Sequence, residues 1–236
     1  MELAPIKEFY DHLVPRQVSA GVNERHHKIF DLLVESGLRD GMRVLEVGCG
    51  IGTVTKLIAA KIPNGHLTAL DLSPTSIEKA RQELGHLAHV ELLAADAVTA
   101  PLEGIYDRIV LPDVLEHIPV DRHASLFARL RDLMAPGALI LVHSPDPFYA
   151  DWLKANHPEL LQVVDLSLHL ADLLPVLEEA GLTLLRFQRH SIWTDVPDYM
   201  AFTLERKAVA RAFHQRTPVE RSLLQRLKHG LFKKQP

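Results

Sequence analysis

The chain has 236 residues, 47% of them hydrophobic, which suffices for one sizeable core but not for two large domains. A formal net charge of -4, with 24% charged residues, is ordinary for a globular protein and excludes a global field that gathers nucleic acid. The single cysteine, Cys49, excludes an intrachain disulfide and fits a reducing, cytoplasmic setting.

Residues 1 to about 23 are mixed, lack clean periodicity and carry no basic-then-apolar signal pattern. Glu24 to Ser36 reads as an amphipathic helix, with Ile29, Leu32 and Leu33 at helical spacing and Gly37 to end it. Arg43 to Val47 is a short apolar strand that runs into a Gly-rich turn, and Thr53 to Ala60 resumes as a helix. His66 to Asp71 is a second strand, after which Ser73 caps a helix begun by Pro74 and reaching about Leu84. His89 to Ala94 and Tyr106 to Leu111 are strands three and four. Asp121 is expected to cap a helix to Met134, and Ala138 to His143 is strand five after the turn Pro136-Gly137. Ser144 to Leu168 reads as an irregular excursion carrying Phe148, Tyr149, Trp152 and His157. Leu170 to Ala180 is helical with Gly181 beyond it, and Leu182 to Phe187 and Tyr199 to Leu204 are the last strands. Lys207 to Phe232 reads as mostly helical, and no apolar run approaches a membrane span.

Alternating helices and continuously apolar strands predict an α/β fold: a Rossmann-like, doubly wound, seven-stranded sheet, mostly parallel, with helices on both faces. Residues 188–198 are too few for a helical crossover, so the final strand must be antiparallel to its predecessor. From Arg206 onward there are nine Lys or Arg against one acid, Glu220, so a basic tail follows an acidic body. Such a tail is usually a solvated helix, and otherwise docks on the body, on a second copy in a homodimer, or on an anionic surface.

The first strand ends at Gly48, and Gly48, Gly50 and Gly52 let the backbone turn tightly and approach a ligand. The spacing is G-x-G-x-G, with Thr53 where a dinucleotide fold places its third glycine, and no Tyr-x-x-x-Lys pair supports a nicotinamide oxidoreductase. Glu46 lies two residues before the first glycine, as suits a ligand that carries an ammonium rather than a phosphate. Asp71 ends strand two, where a carboxylate can hold two ribose hydroxyls, and Leu72 beside it can pack on adenine. Asp96-Ala97 after strand three offers a carboxylate to an amino group. Cys49 reads as a small packing residue.

These segments, with Val44 to Gly52, Ala69 to Ser73, Ala95 to Ala97 and Tyr106-Asp107-Arg108-Ile109-Val110 followed by Leu115-Glu116-His117-Ile118, resemble the successive motifs of class I S-adenosylmethionine-dependent methyltransferases. They are most similar to the small-molecule branch, with ubiquinone-pathway O-methyltransferases and trans-aconitate methyltransferases. The resemblance implies S-adenosyl-L-methionine as cofactor, with contacts at Glu46, Gly48, Cys49, Gly50, Asp71, Leu72, Asp96, Ala97 and the backbone near Pro112. It implies a cap segment over 1–23, a methyltransferase domain over 24–206 with a lid or substrate insertion at 144–169, and the basic tail over 207–236. The acceptor is expected to be a small molecule methylated on oxygen, with nitrogen methylation and a non-catalytic cofactor-binding module as alternatives. A nucleic-acid acceptor is not expected, because the basic tail has few interleaved aromatics.

A hydroxyl acceptor must lose a proton, and histidine suits that task near neutral pH. Of the 14 histidines, His117 after strand four, His143 closing strand five and His169 after the excursion are the candidates by position. His26, His27, His86, His89, His123 and His229 read as surface residues. Asp113-x-x-Glu116-His117 is similar to a metal-holding element of some O-methyltransferases, but Asp shortens the reach of its first acid, and no metal is expected.

Overall fold

The computed structural model describes residues 4–207, and the helical reading of the tail from 208 onward lies outside them. The first helix, α1, spans Ala4–Ala20, where sequence periodicity was absent. The reason lies in what it faces: Tyr10, Leu13 and Gln17, at helical spacing, border a cavity rather than a core, so the usual apolar stripe is missing. Helix α2, Glu24–Glu35, begins with a capping box between Asn23 and His26 and presents Ile29, Leu32 and Leu33 to the core.

The chain then alternates β1 (Arg43–Val47), α3 (Thr53–Lys61), β2 (His66–Asp71), α4 (Pro74–Leu84), β3 (Val90–Ala94) and β4 (Tyr106–Pro112). It continues with α5 (His123–Asp132), β5 (Met134–Pro145), α6 (Pro147–Asn156), α7 (Leu170–Glu179), β6 (Leu182–His190) and β7 (Tyr199–Arg206). The sheet order is β3-β2-β1-β4-β5-β7-β6. Only β7 runs against the others, paired antiparallel with both β5 and β6. The seven strands and the antiparallel last strand agree with the expected fold class.

Helices α2, α3 and α4 cover one face, where Ile29, Leu33 and Ile58 pack with Val44, Leu67 and Val110. Helices α5 and α7 cover the other, where Phe127, Leu130 and Leu177 pack with Leu45, Ile109 and Ile140. Both faces are buried, which is why the central strands are apolar without alternation.

Four local readings need correction. Asp121 does not cap α5; it sits in a 3-10 turn, Val120–Arg122, and α5 starts at His123. Met134 belongs to β5, which begins before Pro136-Gly137 and bulges there, so that Tyr106 pairs with Met134 but Arg108 with Leu139. The excursion after β5 contains α6, begun by Asp146 as N-cap and Pro147 in the first turn, a start signal present in the sequence. His26 and His123 are buried rather than surface residues, because each serves a backbone group: His26 in the α2 capping box, His123 at the Ile118 carbonyl.

Candidate functional site

The sheet order reverses beside β1, whose neighbours are β2 and β4, so a crevice opens at the carboxyl ends of these strands. Here the chain leaves β1 through Gly48, Gly50 and Gly52, all at positive φ. At Gly48 a Cβ would lie 2.5 Å from the Val114 side chain, so both the backbone angle and the wall require glycine. The turn is tied to β2. Gly48 and Cys49 donate their N–H groups to the Leu70 carbonyl, and Gly50 donates to Asp71 Oδ2 at 2.8 Å. The other Asp71 oxygen accepts the Ser73 N–H at 2.8 Å, which fixes the carboxylate plane.

A cavity of about 490 Å³ opens above this turn. Glu46, Gly48, Cys49, Gly50, Asp71 and Leu72 border it, as do Asp96, Ala97 and Pro112. Glu46 is fully buried, and neither of its carboxylate oxygens has a hydrogen-bond partner, although the Thr55 hydroxyl is close by. Burial pushes its pKa up to about 8, with the Asp71 charge adding to the rise against the opposing effect of Thr55. A buried acid without partners is costly and calls for a cationic group to meet it. The ammonium of S-adenosylmethionine has that chemistry, so the residues present fit this cofactor. Asp96 accepts from Val98 N–H and from Arg122, whose guanidinium lies 2.5 Å away. Burial holds the Cys49 thiol well above its ordinary pKa, so it stays protonated and acts as a small wall residue.

The other half of the cavity lies under α1, α6 and the 3-10 turn Leu115–His117. Glu116 is buried; its Oε2 accepts from Ser144 at 3.1 Å, while Oε1 has no hydrogen-bond partner. Burial and the neighbouring Asp113 charge raise its pKa, against the pull of His117. His117 borders the cavity with Nδ1 2.6 Å from the Val164 carbonyl and 3.1 Å from Asp165. A carbonyl only accepts, so Nδ1 carries a proton. Burial opposes a second proton, but the bonds to Asp165 and Val164 and the Glu116 charge prevail and raise the pKa to about 9.

The three candidate histidines do not converge. His143 is wholly buried beneath the cavity wall, with Nδ1 2.5 Å from Asp113 and Nε2 3.1 Å from His190 Nε2. It meets the cavity lining through Asp113 and Tyr199, which border it. His169 lies outside the lining, with Nε2 3.0 Å from Asp151. Asp113, at φ 53, is also paired with Arg25 at 2.9 Å, so its carboxylate is already engaged on two sides. Among the described residues no group of three or more His, Cys, Asp or Glu has the arrangement to hold a metal ion.

Sequence reasoning missed Arg25 and Tyr199 as cavity residues, and it weighed Glu116 as a metal ligand or a packing and capping residue rather than as a base. Tyr10 meets the His117 ring edge-on at 5.9 Å, and Tyr199 stacks on His143 at 5.0 Å. No local pattern marks Arg25 and Tyr199, because they reach the site from α2 and β7, far along the chain.

The family model described as a methyltransferase domain matches residues 16–187. A trans-aconitate 2-methyltransferase from Methylobacterium radiotolerans is 38% identical over 124 residues, covering 52% of this chain and 46% of that protein. An (S)-coclaurine N-methyltransferase from Thalictrum flavum is 31% identical over 127 residues, 52% of this chain and 35% of the relative. The matches thus span about half or less of the length of these curated relatives. The N-methyltransferase NodS from Bradyrhizobium japonicum, solved in complex with S-adenosyl-L-homocysteine, superposes with a TM-score of 0.62 at 20% identity, covering 78% of this chain and 86% of that one. An S-adenosylmethionine-dependent methyltransferase from Clostridium acetobutylicum gives a TM-score of 0.64 at 14% identity, over 84% and 97% of the two chains. At these identities the solved structures establish the fold alone.

Proposed function

The chain belongs to the methyltransferase domain family, and we propose that it transfers a methyl group from S-adenosylmethionine to an oxygen atom of a small metabolite or natural product. The observation that carries the reading is Glu46, a buried carboxyl group with no hydrogen-bond partner, two residues before a Gly-rich turn. Bound there, S-adenosylmethionine supplies a methyl group already activated on a sulfonium. The chain's own residues do the rest. Glu46 meets the ammonium, Asp71 accepts from the ribose hydroxyls, Leu72 packs on the adenine, and Asp96 accepts from its amino group. Gly48 lets the backbone come close.

On the acceptor side the task is to hold the nucleophile near attack distance and to take its proton. The assignment of that proton to a histidine gives way to Glu116. His117 is protonated on Nδ1 and has a raised pKa, so its ring is a donor and a clasp. Glu116 borders the cavity, and its Oε1 accepts no hydrogen bond, the His117 ring standing 3.8 Å away, so this oxygen is placed to accept a proton. The segment from α6 to Leu166 walls this half and acts as the lid, pinned where Leu166 N–H donates to the Glu116 carbonyl.

Calorimetry with S-adenosylhomocysteine, followed by a mass-spectrometric screen of small acceptors with labelled S-adenosylmethionine, tests the reading. Binding, and a labelled methyl on an oxygen-bearing product, are the expected results. Failure of S-adenosylhomocysteine to bind would overturn it. Label on nitrogen would keep the cofactor reading and reassign the acceptor atom.

A further inference from the structure

The acceptor half of the cavity is polar at its base and apolar at its rim. At the base stand Arg25, Asp113, Glu116 and Tyr199. Outward from them the lining becomes Tyr149, Leu153, Leu160, Leu161 and Trp193. The apolar character does not stop at the mouth. Trp152 is 50% exposed, Leu160 65% and Trp193 54%. Apolar side chains scattered singly on a surface need no explanation, but Trp152 and Leu160 belong to one continuous track, and Trp193 lines the same cavity. The rings of Tyr149 and Trp152 stack at 6.1 Å, Trp152 meets His157 at 5.1 Å, and the 3-10 turn Pro158–Leu160 then brings Leu160 back to the cavity. Local bonds hold this track in place: His157 N–H donates to the Leu153 carbonyl and Leu160 N–H to the His157 carbonyl.

A compact, fully polar acceptor would leave this rim in water. An acceptor with an apolar extension would cover it and gain affinity from each buried carbon. We propose that the acceptor is an amphipathic molecule, its methylated polar end against Glu116 and Tyr199 and an apolar chain leading out over Tyr149, Trp152, Leu160 and Trp193. The inference rests on the methyltransferase reading and names the substrate class of that same site.

The protein carries its own reporter, since its two tryptophans are Trp193, in the cavity lining, and Trp152, stacked on the lining residue Tyr149. The test uses the full chain saturated with S-adenosylhomocysteine and a series of straight-chain alkanols from butanol to dodecanol. Tryptophan emission should shift to the blue on saturable binding, with affinity rising roughly fourfold per added methylene until the rim is covered. Leu160→Asp, a change at an exposed position, should flatten the dependence on chain length and leave S-adenosylhomocysteine affinity as it was. Chain-length-independent binding, or a dependence that Leu160→Asp leaves unchanged, would overturn the proposal. So would a blue shift produced by raising protein concentration alone, with dimers in sedimentation that Leu160→Asp dissociates, because the rim would then be a self-association face. Failure of S-adenosylhomocysteine to bind would instead strike the methyltransferase reading, and the alkanol series would still be readable without it.

Discussion

Asp71 at the end of β2 accepts the Gly50 N–H at 2.8 Å, so the acid proposed to hold the ribose also holds the Gly-rich turn in place. Asp71→Ala removes the ribose acceptor and frees the Gly50 and Ser73 amides, and should weaken S-adenosylhomocysteine binding by ~1.5–3 kcal/mol, the range for hydrogen bonds to a charged group. Asp71→Asn keeps one carbonyl acceptor and should lose less. Calorimetry on both folded variants checks this; equal affinity in Asp71→Ala and wild type would remove Asp71 from the site.

Gly48→Val should abolish cofactor binding, but for a reason different from the one the motif suggests. The added side chain collides first with Val114 on the cavity wall, at a backbone angle of φ 79 that a β-branched residue does not tolerate. Gly48→Ala should therefore already be impaired, and Gly48→Ala combined with Val114→Ala should recover part of the binding. Recovery measured by titration would locate the conflict at Val114; a normal titration of Gly48→Val would refute the steric account.

Glu46 predicts a pH dependence of binding whose sign is fixed. Its pKa is about 8 in the free protein, and a bound ammonium favours the charged carboxylate. Below about 8 the cofactor must therefore displace a proton, and affinity should fall with falling pH by up to about tenfold per unit. The same group makes the free protein less stable as pH rises from the ordinary carboxylate pKa through 8, since the folded state then holds an unpaired charge. Glu46→Gln should bind weakly at every pH and lose the dependence. Titrations in buffers of differing ionisation enthalpy count the released proton directly, and a flat wild-type profile from pH 6 to 8 would contradict the assignment.

The fold was legible because its signals are local. Gly48, Ser73-Pro74 and Gly181 mark real turns and caps, and two buried faces leave apolar strands that cannot be mistaken for loops. Helix α1 was illegible because its inward face serves a cavity, and α6 because its Asp146-Pro147 start was masked by the prolines and aromatics around it. The strand-end residues of β1, β2 and β3 that border the cavity could be named from the chain, since each strand end delivers its residue to one crevice. The acceptor side could not. His143 and His169 sit at suggestive places in chain order, yet one faces Asp113 beneath the wall and the other Asp151 outside it. Side-chain direction decided both, and no spacing rule carries that information.

His117 ties the lid to the 3-10 turn through Val164 and Asp165, and this clasp titrates. Its pKa rises from 6.5 unfolded to about 9 folded, so its contribution to stability is fully present below pH 6.5 and is lost as pH climbs through 9. Chemical denaturation should show a decline of about 1–3 kcal/mol across that window. Asp165→Asn should lower stability at pH 6 and shrink the decline. Identical wild-type and Asp165→Asn profiles would mean that the pair contributes nothing.

Proton removal is the most demanding test of the acceptor side. If Glu116 takes the proton of a hydroxyl acceptor, Glu116→Gln should lower the single-turnover rate by ~10²–10⁴-fold and leave S-adenosylhomocysteine affinity nearly intact, because the amide fills the same space but cannot accept a proton. The wild-type rate should rise with pH as the carboxyl ionises, and that rise should fall above the ordinary carboxylate range, since burial raises the Glu116 pKa. His117→Gln should cost less, acting through the lid, with an effect on acceptor KM that exceeds its effect on turnover. His169→Ala should be silent, as its ring faces Asp151. His143→Ala should act through Asp113 and reduce stability along with rate, because it strips one partner from a buried carboxylate. A rate that collapses in His117→Gln but survives in Glu116→Gln would return the base to the imidazole. Wild-type rates in both would mean that no base is needed, and the acceptor would then be a carboxylate or a neutral amine that reacts once it is held in line with the methyl group.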